Sequence, residues 1–329
     1  MSHNDISPTK RLWMDDLRVF WKFSRPHTII GTTLSVAGLA IIALADSLTR
    51  LAEGSSTLPS MEFSWIGFVG IVLGALVPSL CANVYIVGLN QLEDVPIDRI
   101  NKPALPLASG EFSKRQGLVI VAITGVLALL LAGLQGSILF LTVLLSVLIG
   151  TAYSLPPIRL KRFPFWAALC IFGVRGLIVN IGFFLYFQQR FNAPMNIPLQ
   201  VWALTVFVVL FAFAIAIFKD IPDAKGDQEF KIATLTLKLG IPKVFKLALG
   251  VLTGCYCFMI ALATLGAIPV QPLFLISTHI GLLAWLWIRS TKVNLNDKQQ
   301  ITQFYQFIWK LFFLEYILYP VACLQKVYF

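Results

Sequence analysis

Asn90, Asp94 and Asp98 recur every four residues where one long apolar stretch ends, and Asp220, Asp223 and Asp227 stand where another ends. Positions i and i+4 share one face of a helix, as do i, i+3 and i+7, so each group presents its oxygens to one side. Five carboxylates at the mouths of apolar helices are costly unless a cation sits between them. Carboxylate oxygens are hard ligands, and Mg2+ held by a few of them keeps positions for water and substrate phosphate. The bases alongside, Lys102, Arg159, Lys161, Arg162, Lys219 and Lys225, suit phosphate oxygens. Acids for metal, bases for phosphate and an apolar surround together fit a lipid diphosphate, whose departing charge the metal would take up. A single Asp at the end of a span is ordinarily a solvated loop residue. Two groups in helical register depart from that pattern.

The elements that must position these residues are membrane helices. Of 329 residues, 57% are hydrophobic and 13% charged, against about 25% charged in soluble domains. The sequence predicts an all-α, polytopic membrane protein with spans near 28–45, 63–89, 115–134, 137–153, 166–187, 199–218, 244–265, 271–289 and 303–325. Residues 1–27 form a cytoplasmic N-terminal segment and 28–329 one transmembrane domain. Asp5, Asp15 and Asp16 make that segment unlike a secretory signal or transit peptide. The net charge of +10 does not indicate a nucleic-acid partner, because the bases lie in short loops between apolar spans. Most of the 26 lysines and arginines fall in alternate loops, which puts the N-terminus and both acidic groups on the cytoplasmic side, next to anionic lipid.

Several local expectations follow. Pro96 and Pro222 predict broken or restarted helices at the mouth of the site. Arg175, about ten residues into the fifth span, is a functional candidate or the partner of an Asp or of backbone carbonyls. His279 reads as a packing residue, and Lys310 and Glu315 weaken the ninth span. The five cysteines fall in apolar segments and predict no disulfide framework, with Cys255 and Cys257 on different sides of a helix.

The run from Asn90 to Pro103 (NQLEDVPIDRINKP) resembles the first Asp-rich motif of the UbiA-type intramembrane prenyltransferases, and Lys219 to Asp227 (KDIPDAKGD) resembles the second. Tyr153 to Arg162 (YSLPPIRLKR) is similar to the basic motif between them, and Ser24 to Thr28 (SRPHT) also looks like family sequence. Within the superfamily, the Asn-Gln-Leu opening, the Leu105-to-Gly110 segment and the second acidic motif most resemble the homogentisate phytyltransferases. The resemblance implies nine helices around a central cavity open to lipid. It implies Mg2+ held through Asn90, Asp94, Asp98, Asp220, Asp223 and Asp227, with Asp94, Asp98, Asp223 and Asp227 as the catalytic acids. Lys102, Tyr153, Arg159, Lys161 and Lys219 would contact diphosphate or shape a lid over it. The substrates implied are a lipid prenyl diphosphate and a small aromatic acid, joined with loss of CO2 and diphosphate in tocopherol synthesis in a photosynthetic membrane. Arg25 or Arg175 would meet the acid's carboxylate.

Two rivals remain at this level. One is the same chemistry with solanesyl diphosphate or another aromatic acceptor, as in plastoquinone, ubiquinone or chlorophyll synthesis. The other is a cation-coupled transporter, which needs acids near mid-bilayer and reachable from both sides. An intramembrane aspartyl protease fits less well, since no Tyr-Asp partners Gly226-Asp227.

Overall fold

The computed structural model describes residues 13–52, 64–230 and 234–328. Residues 1–12 of the predicted N-terminal segment therefore lie outside the described residues. The chain enters through α1 (Trp13–Phe23) and α2 (Pro26–Ala52), then α3 (Trp65–Glu93), α4 (Val95–Asn101), α5 (Pro106–Ser109), α6 (Lys114–Gln135) and α7 (Ser137–Ser154). The second half runs through α8 (Pro164–Phe172), a π-helical stretch at Gly173–Ile178, α9 (Val179–Arg190), α10 (Leu199–Glu229), α11 (Leu235–Leu239), α12 (Ile241–Thr264), α13 (Pro272–Ser290) and α14 (Lys298–Tyr328). No described residue lies in a strand. Among the described residues nine helices, counting α8 to α9 as one, are long and apolar enough to cross a bilayer.

Local chemistry sets the ends. Ser113 and Gln116 form a reciprocal capping box at the start of α6. Gly136, with φ of 120°, makes the tight turn into α7, a conformation open to a residue without Cβ. Ile66, Leu134 and Leu273 stand exposed on their spans and suit contact with lipid tails. Met14, Leu17 and Trp21 of α1 are exposed while Val19 and Phe23 are buried, as expected of a helix lying in the membrane interface.

The helices close a ring: α2 packs on α3, α9 and α14, α3 on α7, α7 on α9, and α10 on α12 and α14. A cavity of about 280 Å³ opens inside, lined from α2, α3, α7, the α8–α9 span, α10 and α14. The other three spans stand outside it: α6 buttresses α3, and α12 and α13 back α10 and α14.

Pro96 behaves as expected. The chain breaks at Asp94 and restarts as α4, with the proline in the first turn, where a missing N–H costs little. Pro222 corrects the expectation: α10 continues through it for 31 residues. Packing of α10 against α4, α12 and α14 supplies the burial that holds the helix together across the lost hydrogen bond.

The ninth span carries its charge for a reason. Glu315 Oε2 lies 3.2 Å from His279 Nε2, and both residues are fully buried between α14 and α13. His279 thus has a specific partner as well as a packing role, while Lys310 is exposed. Glu315→Ala is expected to cost about 3 kcal/mol by leaving a buried polar partner uncompensated, read as a lowered unfolding midpoint in detergent. Glu315→Gln should lose less. At the end of the bundle away from the acids, Asp46 accepts from Arg50 Nε (2.8 Å), Gln188 Nε2 (2.8 Å) and Gln200 Nε2 (3.2 Å), tying α2, α9 and α10. Cys255 is buried and Cys257 exposed, on different sides of α12, and all five cysteines are free.

Candidate active site

The break after α3 turns the first acidic group toward the bundle axis. Asn90 Nδ2 donates to Asp94 Oδ2 at 3.0 Å across one helical turn. Asp94 also takes Lys161 Nζ at 2.7 Å and Arg159 Nη2 at 3.1 Å. Arg159 adopts φ of 38°, in the left-handed region, at the entry to the turn Leu160–Arg162. A non-glycine residue held there is strained, and such strain clusters where a side chain must be aimed. Arg162 turns away: its Nη2 donates to Pro157 O and its guanidinium lies over Phe163.

The second acidic group comes from the end of α10 and meets the first directly. Lys102, just past α4, bonds Asp223 Oδ2 at 2.5 Å. Gly226 N donates to Asn101 Oδ1 at 3.0 Å, and a Cβ at residue 226 would lie only 2.3 Å from that oxygen. Glycine is what allows α4 and α10 to approach this closely. Lys219 Nζ stands 3.9 Å from Asp220 Oδ1. Asp98, Asp223 and Asp227 are buried. The structure therefore brings Asn90, Asp94 and Asp98 to the same end of the bundle as Asp220, Asp223 and Asp227.

Burial raises Asp98 above the usual carboxylate range, opposed by the Arg25 and Lys102 charges. Burial, with Asp220 and Asp223 adding repulsion, lifts Asp227 to about 7. Desolvation lowers Lys161, and Asp94 pulls it back. Acids under this much strain favour a cation. Among the described residues no three acidic, His or Cys side chains converge on a common point; bases stand between the acids instead. The donor set still suits a hard divalent ion: five carboxylates and an amide oxygen, with Asp98 Oδ2 buried and without a hydrogen-bond partner.

Below the acids lies the cavity. Asn90, Tyr153, Lys219, Arg25 and His27 line it, and Arg175 lines it deeper within the bundle. Its lining mixes polar side chains, among them Thr28, Thr32, Ser35, Asn83 and Ser146, and the aromatic Tyr305 and Trp309, with aliphatic side chains that include Ile86, Val87, Val143, Ile149, Ile171, Val174 and Ile215. A charged head at the mouth and an aliphatic body match a prenyl diphosphate in shape and polarity.

Arg175 does not pair with an Asp. Its guanidinium lies over the rings of Trp309 and Phe312, at 5.1 and 5.6 Å. Sequence reasoning passed over Asn101, which joins the two motifs, and Asn83, whose Nδ2 donates to Thr28 Oγ1 at 3.0 Å. Asn83 stands seven residues before Asn90 and so shares its helix face, a signal that periodicity carries. His27, its ring tilted against Trp309 with centroids 4.9 Å apart, has no comparable signal beyond its place in Ser24–Thr28.

Comparison with known proteins agrees with this geometry. A family model for the UbiA prenyltransferase family matches residues 56–311. The chain is 52% identical over 309 residues to a homogentisate phytyltransferase of Synechocystis sp., covering 94% of this chain and 96% of that protein. It is 40% identical over 320 residues to homogentisate phytyltransferase 1, chloroplastic, of Arabidopsis thaliana, covering 96% and 78% respectively. Among solved structures it shares its fold with a UbiA homolog from Archaeoglobus fulgidus bound to GPP and Mg2+, at TM-score 0.59 and 18% identity, covering 93% of this chain and 99% of that one.

Proposed function

The chain belongs to the UbiA prenyltransferase family, and from that premise we propose that it transfers the phytyl group of phytyl diphosphate to homogentisate, with loss of diphosphate and CO2, in a Mg2+-dependent reaction of tocopherol synthesis. It is a prenyltransferase. The observation that carries the finer reading is the meeting of two acidic groups, each clamped by bases, at the mouth of a largely aliphatic cavity. The full-length similarity to two homogentisate phytyltransferases supports the substrate pair. The UbiA homolog bound to Mg2+ supports the choice of metal.

Asn90, Asp94 and Asp98 from one half and Asp220, Asp223 and Asp227 from the other would hold the metal. A divalent ion bound there would supply Lewis-acid stabilisation of the charge that develops on the departing diphosphate. Lys102, Arg159 and Lys161 pair with Asp94 and Asp223; with a metal on those acids, the same bases would be free to meet phosphate oxygens. Lys219 and Tyr153, lining the cavity, complete the grip. The allylic C–O bond breaks with its electron pair leaving on diphosphate; the electron-rich ring supplies the pair for the new C–C bond and then gives up the proton of that ring carbon, and the acetate arm loses CO2 while its methylene takes up a proton. Ile171, Val174 and Ile215 exclude water that would otherwise trap the allylic cation. The distribution of bases supports a cytoplasmic active site, and the cyanobacterial and chloroplastic relatives support a photosynthetic membrane.

The test is an assay of the purified chain in detergent with homogentisate and either phytyl or solanesyl diphosphate, with and without Mg2+. Phytylated, decarboxylated quinol and diphosphate should appear only with the metal and without any membrane gradient. Preferential solanesyl transfer would move the assignment to a longer tail. Absence of diphosphate release would remove the reaction.

A further inference from the structure

We propose that Arg175 anchors the carboxylate of the aromatic acceptor, in a subsite distinct from the acids that would hold the metal and the bases that would meet the diphosphate; this deepens the reaction proposed above and rests on it. Arg175 lies in the π-helical stretch Gly173–Ile178, which interrupts the span between α8 and α9. A π-turn gives up regular helix geometry and is found mostly at functional sites. Here it aims a guanidinium into the cavity. A Cβ at residue 31 would sit 3.0 Å from Arg175 Nη1, so glycine in that turn of α2 leaves the guanidinium its room.

An arginine roughly 16 Å along its helix from Pro164 is costly in a membrane unless something anionic meets it. The described residues offer Arg175 two aromatic faces, Trp309 and Phe312, and no hydrogen bond or ion pair. The other two cations lining the cavity feel the acidic groups, Lys219 at close range and Arg25 through its charge alone. Lys219 stands 3.9 Å from Asp220, and the Arg25 charge bears on buried Asp98. Arg175 is the cation that the acidic groups leave over.

Its surroundings define what it takes. Trp309 and Tyr305 line the same cavity and offer flat faces to a ring. Thr28 and Asn83, hydrogen-bonded to each other, offer neutral polar atoms to phenolic hydroxyls. A prenyl tail uses neither. The ligand class is an aromatic carboxylic acid carrying hydroxyls, and the guanidinium fork suits its carboxylate in two-pronged fashion. Such an anchor holds the ring beside the allylic carbon without drawing on the bases needed for diphosphate.

The experiment compares wild type, Arg175→Gln and Arg175→Lys, with homogentisate as acceptor and the methyl ester of homogentisate as competitor. Wild type should bind the acid roughly 50-fold more tightly than its uncharged ester, the size of effect expected of a charged hydrogen-bonded pair. Arg175→Gln should raise the acceptor KM by a similar factor, leave the KM for phytyl diphosphate within two-fold, and leave the ester's inhibition constant nearly unchanged. Arg175→Lys should fall between. Equal wild-type affinity for acid and ester would overturn the proposal without reference to any variant. A parallel loss of acid and ester binding in Arg175→Gln would also overturn it, showing that the arginine only shapes the cavity. Wild type that turns over no homogentisate defeats the reaction itself, whereas active wild type with an unchanged acceptor KM in both variants defeats only this anchor.

Discussion

Asp94→Ala and Asp223→Ala are each expected to lower kcat on the order of 10³-fold, the loss seen when one preorganised charge-stabilising group is removed from an active site. On the proposed reading each substitution would take one oxygen ligand from the metal, and it also strands bases. Without Asp94, Lys161 and Arg159 lose the carboxylate that lies 2.7 and 3.1 Å away. Without Asp223, Lys102 loses its partner. The freed bases would not restore the rate, because single positive charges on phosphate oxygens would take up less of the developing charge than a divalent ion held by the acids. The KM for homogentisate should change little if the acceptor is held at Arg175, away from the acids. Steady-state kinetics at saturating Mg2+ with both substrates checks this; full activity in either variant would rule the site out.

Lys102→Ala is expected to lower kcat/KM for phytyl diphosphate roughly 100-fold, with Lys102→Arg recovering part of the loss. Lys102 follows the first acidic motif yet bonds an acid of the second, so it clasps the two halves, and on the proposed reaction it would also serve as a cation for the phosphate. The two roles separate in a Mg2+ titration. If Lys102 served only to neutralise Asp223, excess Mg2+ would replace it and return the variant to wild-type rates. A deficit that persists at saturating metal places the ammonium on the substrate. Retained wild-type kcat/KM at low Mg2+ would refute both roles.

The nine spans were legible because the bilayer demands long apolar helices with every backbone group satisfied inside the segment. The register of the acids was legible for a similar reason, since a four-residue spacing fixes a helix face whatever surrounds it. Asn90 and Asp94 meet as that spacing requires. What could not be read were contacts between distant segments. Lys102 with Asp223, Asn101 with Gly226 and Glu315 with His279 join residues on different helices, and only the packing of those helices decides which approach. The prolines show the same boundary. Pro96 and Pro222 each stand among acids in the sequence, yet one opens a helix and the other is carried inside a buried one. Local propensity is equal for both, and tertiary burial separates them. The aim of Arg175 was likewise hidden, because a π-turn leaves no mark in hydrophobic periodicity.

The most direct measurement is the Mg2+-dependent affinity of inorganic diphosphate for purified wild type, Asp94→Ala, Asp223→Ala and the double variant, by titration calorimetry. If residues from both halves of the chain hold one cation–diphosphate unit, each single variant loses most of the metal-dependent affinity and the double variant loses little more. Losses that simply multiply in the double variant would mean two independent sites, and would contradict the account.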